Sequence, residues 1–245
     1  MELALGVDIG GTGIKGALVD VTNGTISGEK HYLPTPQPPT PTAIAQSVRE
    51  LHTRTLPSKD VPIGIAIPAV VHRGRTRTAA NIDPEWIDFA AQDLFEEALG
   101  QPVALLNDAD AAGLAEMRFG AGREEHGSVS IITLGTGIGS AIFIKGELLP
   151  STELGHLTID GMDCCPWASA AAFHRDGLSW AQWISRLQEY LSYYESLIWP
   201  ELFIIGGAIS EDADRFLPLL QLEARVTPAQ LRGDAGIVGA ALAAC

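Results

Sequence analysis

The chain has 245 residues, 46% hydrophobic and 19% charged, which is enough apolar material for a real core in one domain or two small lobes. Its net charge of −14 argues against a general nucleic-acid binder, which needs a basic surface to release counterions, but leaves room for a small anionic substrate held by local amides. The apolar runs are too short for a membrane span, no basic-then-apolar leader opens the chain, and Cys164, Cys165 and Cys245 make no disulfide framework, so a soluble, cytoplasmic protein is expected.

Residues 3–21, LALGVDIGGTGIKGALVDV, read as two strands around a glycine turn: an apolar run reaches Asp8, Gly10, Gly11 and Gly13 follow, and apolar residues resume from Ile14. The stretch LPTPQPPTP at 33–41 holds five prolines, which forbid regular helix and predict an extended, stiff connector. A helix is expected at 42–52, a strand at 61–71 (VPIGIAIPAVV) and a second helix at 85–99, ended by Gly100 as its C-cap residue. The strand PVALLN runs directly into DADAAGLAEMRFG, a strong helix former with Asn107 and Asp108 at its start.

Residues 128–148, SVSIITLGTGIGSAIFIKGEL, again place two apolar strands around a glycine-rich turn, so the chain reads as a duplicated architecture whose halves face one ligand. From Ser179 to Trp199 apolar residues keep helical spacing, and Pro200 stops that helix. ELFIIGGAIS then gives a strand ending in a Gly-Gly turn, and DAGIVGAALAA gives a helix of small residues suited to close packing. The tryptophans are expected in the core.

DIGGTGIK at 8–15 and LGTGIGS at 134–140 each put glycines where backbone N–H groups can approach a phosphate oxygen without a Cβ in the way. Neither fits G-x-x-x-x-G-K-[ST], so a P-loop is excluded, and a Rossmann dinucleotide site is weakly supported. IIGGAIS at 204–210, at the end of a third strand, strengthens the reading of a phosphate-gripping protein.

DIGGTGIK, NDADAAGLAE, LGTGIGSA, TELGH, IIGGAIS and the terminal DAGIVGAALAA resemble, in this order, the motifs of the ROK family of sugar kinases. LPTPQPPTP, RTAANID, GLAEMRFGAG, LGTGIGSAIFIKGELLPSTELGHL and IWPELFIIGG are similar to the polyphosphate glucokinase subgroup, and the resemblance spans residues 3–244. It implies a two-lobed α/β fold of the actin-like ATPase (ribonuclease H-like) type, with the active site in the interlobe cleft. The lobes would be 1–106 joined by the C-terminal helix 234–245, and 107–233. The implied reaction makes glucose 6-phosphate from glucose, or phosphorylates a related hexose, with inorganic polyphosphate, ATP or both as donor. A strictly ATP-dependent hexose or N-acetylmannosamine kinase and a non-catalytic sugar-binding relative stay open. A sugar-sensing repressor would carry an N-terminal helix-turn-helix, for which the first strand, beginning at Leu3, is expected to leave no room. The resemblance also implies a homodimer, to which the helix around 180–198 would contribute.

The same resemblance assigns roles. Asp108 would be the general base for the sugar 6-hydroxyl, a role suited to a carboxylate at a helix start. Asn81, Asn107, Glu153 and His156 would bind sugar hydroxyls, since amides and carboxylates can engage vicinal hydroxyls through two atoms. Asp8 would orient Mg2+ on the phosphates, through water. Gly10, Gly11, Thr12 and Lys15 would hold donor phosphate from one lobe, and Gly135, Thr136, Gly137, Gly206 and Gly207 from the other. Arg73, Arg75, Arg77, Arg118 and Arg123 could hold a longer polyphosphate or be scattered surface charges.

Many members of the family bind a structural zinc through C-x-C-G-x-x-G-C-x-E after the Glu-x-Gly-His motif. Here that stretch is GHLTIDGMDCCPWASAAAF. Adjacent Cys164 and Cys165 suit one tetrahedral zinc poorly, so no structural zinc is expected and His156 is left for sugar. Within MDCCPWASAAAF at 162–173 only Asp163 is acidic, which leaves a sugar contact and the local helix start open.

Overall fold

Leu3–Ile9 (β1) is apolar on both faces, and in the computed structural model, which describes residues 2–55, 61–80 and 82–245, it is the central strand of a mixed five-stranded sheet. Gly13–Asp20 (β2) returns antiparallel to it, and Thr25–Pro34 (β3) pairs antiparallel with β2. After α1 (Pro41–Thr55), β4 (Ile63–Ile67) pairs parallel with β1. A small hairpin of β5 (Val71–His72) and β6 (Arg75–Thr76) precedes α2 (Ala91–Leu99); β7 (Val103–Asn107) then pairs parallel with β4 and leads without a loop into α3 (Asp108–Phe119).

The second sheet repeats the pattern. β8 (Ser128–Leu134), β9 (Ile138–Ile144) and β10 (Glu147–Leu149) form its antiparallel part. The short pair β11 (Thr158–Ile159) and β12 (Met162–Asp163) is followed by α4 (Cys164–Ala168), α5 (Ala170–Arg175) and the long α6 (Trp180–Ile198). β13 (Leu202–Gly206) pairs parallel with β8, and β14 (Arg225–Pro228) parallel with β13. Spatial order is β3-β2-β1-β4-β7 in one sheet and β10-β9-β8-β13-β14 in the other, the same arrangement twice. The last helix is α7 (Ala235–Ala243).

The chain divides into two compact units: residues up to 115 together with 234–245, and residues 116–233. The division falls within α3, whereas the sequence reading places it after residue 106.

In the first unit, glycines let α7 lie directly on the sheet. A Cβ on Gly6 of β1 or Gly64 of β4 would overlap the backbone of Ile237 or Ala240, and one on Gly239 would overlap the backbone of Ala111 in α3. Any larger residue would push the helix away, a change that costs about 1–3 kcal/mol in a packed core. Trp86 is fully buried in this unit, and its indole N–H donates to the Pro39 carbonyl at 2.9 Å, which ties down the proline-rich segment. The second unit packs Trp183, Tyr190, Tyr194, Phe203 and Phe216 with Cys164 and Cys165 around one apolar centre.

Several elements differ from expectation. The helix expected at 85–99 is a 3-10 turn, Pro84–Trp86, and then α2, because Asp83 caps the first turn and the chain extends at Ile87 before helix resumes. The 61–71 strand stops at Ile67, before Pro68. β3 escapes an apolar pattern because it is an edge strand with mostly exposed residues. Gly100 does take the left-handed C-cap conformation, with φ 70°. Trp199 departs from the core expectation: it caps α6 at φ 51° and is 68% exposed.

Candidate active site

In each unit the glycine turn sits at the carboxyl end of the central strand, the edge where open α/β sheets bind ligands. β1 ends at Ile9, and Gly10 N–H donates to Gly13 O (2.9 Å) to close the first turn. A Cβ on Gly11 would meet nothing within 4 Å, so neither packing nor positive φ requires glycine there, and the open space suits a ligand approaching the backbone. β3 and the residue that follows it brace this turn: Thr35 donates its hydroxyl to Gly10 O (2.6 Å) and its N–H to Thr12 O (3.2 Å), and Tyr32 donates its hydroxyl to Thr12 O (3.2 Å).

Asp8 lies opposite Lys15 in the β1–β2 register. Burial raises its carboxyl above the ordinary value, and the nearby Lys15 ammonium offsets this in part. A carboxylate disfavoured in this way gains from a nearby cation. A hard oxygen donor beside an open glycine turn fits Mg2+, which binds proteins through one or two carboxylates while keeping water and phosphate ligands.

Two strands away, Asn107 ends β7. Its Oδ1 accepts from Ala109 N–H (2.8 Å) and Asp110 N–H (3.2 Å), and its Nδ2 donates to Ala69 O (3.1 Å). The amide is thus the N-cap of α3 and 6% exposed, with one N–H left over from these three bonds. Asp108, the first residue of α3 and only partly buried, also accepts from Ala109 N–H through Oδ1 (2.9 Å), so its carboxylate sits in the positive field of the helix start.

In the second unit the turn Gly135–Gly137 closes through Gly135 N–H to Gly137 O (2.9 Å). A Cβ on Gly135 would likewise meet nothing within 4 Å. Two elements of the divergent 155–173 stretch hold this turn: Ala171 N–H at the start of α5 donates to Gly135 O (3.0 Å), and Ile138 N–H donates to Cys165 Sγ (3.2 Å). Gly206 ends β13, and Gly207, at φ 85°, is pressed against the Leu134 backbone. Thr136 is exposed.

Glu153 precedes and His156 ends a 3-10 turn clamped to the sheet. A Cβ on Gly155 would overlap Ile138 O, Leu154 N–H donates to Ser140 Oγ (2.8 Å), and Tyr190 donates its hydroxyl to Leu154 O (3.3 Å). Burial raises the Glu153 carboxyl, with His156 opposing in part. His156 Nδ1 lies 2.8 Å from Asp163 Oδ2, and Asp163 Oδ1 accepts from Cys165 N–H (2.9 Å), capping α4. Cys164 is a packing group: burial, first among several causes, pushes its thiol up to about 11, which makes it a weak ligand and nucleophile. Among the described residues no cluster of three or more His, Cys, Asp or Glu side chains is arranged to hold a metal ion.

Asn81 lies outside the described residues. Arg73 and Gly74 form the two-residue β5–β6 turn with φ 52° and 73°, while Arg77 pairs with Asp88 (2.8 Å) and Arg75 donates to the Asp88 carbonyl. Arg123 pairs with Glu124 (3.6 Å), so three of the five arginines considered for polyphosphate are engaged locally. Tyr32 of β3, Thr35 just after it and Ser140 of β9 brace the candidate groups and are not marked by the sequence, because register and turn geometry bring them there.

The ROK family model matches residues 4–171. A polyphosphate glucokinase of Mycobacterium tuberculosis is 45% identical over 239 residues, covering 97% of this chain and 89% of that protein. The crystal structure of an inorganic polyphosphate/ATP-glucomannokinase from Arthrobacter sp. strain KM superposes with a TM-score of 0.95 at 48% identity, covering 99% of this chain and 98% of that one. A ROK family glucokinase from Streptomyces griseus, solved with glucose and AMPPNP, gives a TM-score of 0.82 at 29% identity, with 98% of both chains covered.

Proposed function

The chain belongs to the ROK family, and from that premise we propose that it is a glucokinase that makes glucose 6-phosphate with inorganic polyphosphate or ATP as donor. Its two α/β units with repeated strand order are those of the two-lobed actin-like kinases. The observation that carries the reading is the Asn107–Asp108 pair. Asn107 accepts from both amides that open α3, so the cap does not depend on Asp108, whose Oδ1 shares only the Ala109 N–H (2.9 Å) and whose carboxylate is placed at the helix start to take a proton.

In this reading Asp108 accepts the proton of the 6-hydroxyl as that oxygen bonds to the transferred phosphorus, and the bond to the donor's bridging oxygen breaks. Glu153, His156, Asn81 and the remaining N–H of Asn107 hold the other hydroxyls. The backbone amides of Gly10–Thr12 and Gly135–Gly137, with Lys15, position the donor phosphates. Phosphoryl transfer depends mostly on such positioning and charge stabilisation. Mg2+, held near Asp8 through water, would supply neutralisation of donor phosphate charge.

A homodimer and a cytoplasmic location belong to the same reading. Exposed Tyr193, Leu197 and Trp199 at the end of α6 support a partner surface there, and no helix among the described residues is long and apolar enough to cross a membrane. Polyphosphate as donor is supported by the 45% identity to the mycobacterial protein of that name. The test is a coupled assay for glucose 6-phosphate with polyphosphate and with ATP, on wild type and Asp108→Asn. The expected result is turnover with glucose that the variant loses; no turnover with either donor across several hexoses would overturn the kinase reading.

A further inference from the structure

Asp163 closes the β11–β12 pair that follows His156, and its carboxylate is divided between two partners. Oδ1 accepts from Cys165 N–H at 2.9 Å and so starts α4; Oδ2 lies 2.8 Å from His156 Nδ1. The pair is fixed from both sides. His156 ends the turn that Gly155, Ser140 and Tyr190 clamp to β9 and α6, and α4 carries Cys164 and Cys165 into the core. The imidazole and carboxylate keep 32% and 44% of their side-chain surface exposed, so His156 remains reachable by solvent and solute.

A carboxylate only accepts hydrogen bonds, and a neutral imidazole has one donor and one acceptor nitrogen. A carboxylate on Nδ1 therefore puts the ring proton on Nδ1 and leaves a lone pair on Nε2. We propose that Asp163 is a positioning residue for sugar binding: it holds His156 as the Nδ1–H tautomer, so that Nε2 accepts a hydrogen bond from a hexose hydroxyl. This inference rests on the sugar-binding role proposed for His156. It gives the second unit a definite hydrogen-bond polarity at His156: Nε2 accepts, so a hydroxyl is read there as a donor. The capping bond to Cys165 then does double service, because the helix start that anchors Asp163 also aims its second oxygen at His156.

The test is Asp163→Asn, studied with the full chain. Asparagine keeps an oxygen to cap α4 but offers an N–H to His156, which favours the opposite tautomer. In wild type, 15N spectra of the His156 ring should show Nδ1 protonated and Nε2 bare; in the variant the proton should move to Nε2. Glucose affinity measured by calorimetry should fall about tenfold, the scale of one lost neutral hydrogen bond, and the same substitution in a His156→Ala background should change affinity no further. A wild-type ring protonated at Nε2, alone or together with Nδ1, would overturn the proposal. So would an equal affinity loss with and without His156, which would mean that Asp163 acts through α4 alone. The ring spectra need no turnover, so they decide the tautomer even if the assay above rejects the kinase reading.

Discussion

Gly236, in the first turn of α7, lies against the Asp8 side chain: a Cβ there would stand 2.7 Å from Asp8 Cγ. The contact links the end of the chain to the carboxylate at the end of β1, so the C-terminal helix fixes where the proposed phosphate-orienting group can sit. Gly236→Ala separates two effects. Alanine favours helix over glycine by about 1 kcal/mol, yet its methyl must displace Asp8, which has only a short side chain with which to yield. The expected outcome is a thermal midpoint within a few degrees of wild type and a kcat lowered about tenfold or more. Unchanged kcat would show that the Asp8 position does not matter to turnover.

Asp8→Asn tests burial against function. Burial raises the Asp8 carboxyl despite Lys15, so the folded protein binds that proton more tightly than the unfolded chain does. Asp8 then costs stability at pH above its folded value and costs nothing below the ordinary carboxylate value of about 3.9. The variant should melt higher than wild type near neutral pH, with the gain shrinking as pH falls toward about 4, while turnover drops on the order of 10²-fold. A lower midpoint near neutral pH would mean that the Lys15 interaction outweighs burial.

Asp108→Asn should lower kcat by about 10²–10⁴-fold with little loss of stability, because Asn107 accepts from both amides that open α3 and the new amide keeps an oxygen for Ala109 N–H. Asn107→Ala should behave differently. It removes those bonds and the one to Ala69 O, with a stability loss of about 1–2 kcal/mol for the cap alone, measured by denaturant titration. If Asp108→Asn were the more destabilising of the two, Asp108 would be the cap and the proposed division of labour would fall.

Two glycines of the second unit should respond in opposite ways. Gly135 has open space where a Cβ would stand, so Gly135→Ala should keep its thermal midpoint and raise the Michaelis constant for polyphosphate or ATP. Gly207 sits at φ 85° against the Leu134 backbone, so Gly207→Ala should lose at least ~1–2 kcal/mol of stability from the left-handed conformation alone. A Gly135→Ala variant with unchanged constants for both donors would remove that turn from the donor site.

Much was legible in the sequence because it is written in local chemistry. Alternating glycine turns and apolar strands announced two similar α/β sheets, Gly100 and Pro200 marked helix ends, and Asn107–Asp108 stood at a strand–helix junction without a loop. Short elements and edge strands were not legible: β3 has no apolar run, and α4 and α5 have five and six residues, too few for helical periodicity to show. The stretch after His156 read as a loss of zinc ligands. Folded, it brings Cys164 and Cys165 into an apolar core and holds the Gly135 turn through Ala171 and Cys165.

The sequence by itself thus determined the family and, through it, the fold class by the order of its motifs, and it placed glycine turns, strands and a carboxylate at a helix start because these are local and carry their own physical reasons. Only the tertiary structure decided which groups brace one another. Register put Lys15 opposite Asp8, helix packing put Gly236 against that same carboxylate, and the chain reversal through β11 and β12 put Asp163 on the His156 ring. Such pairings join residues from 7 to over 200 positions apart, and burial, hydrogen-bond geometry and close backbone approach select them only once the chain has closed on itself.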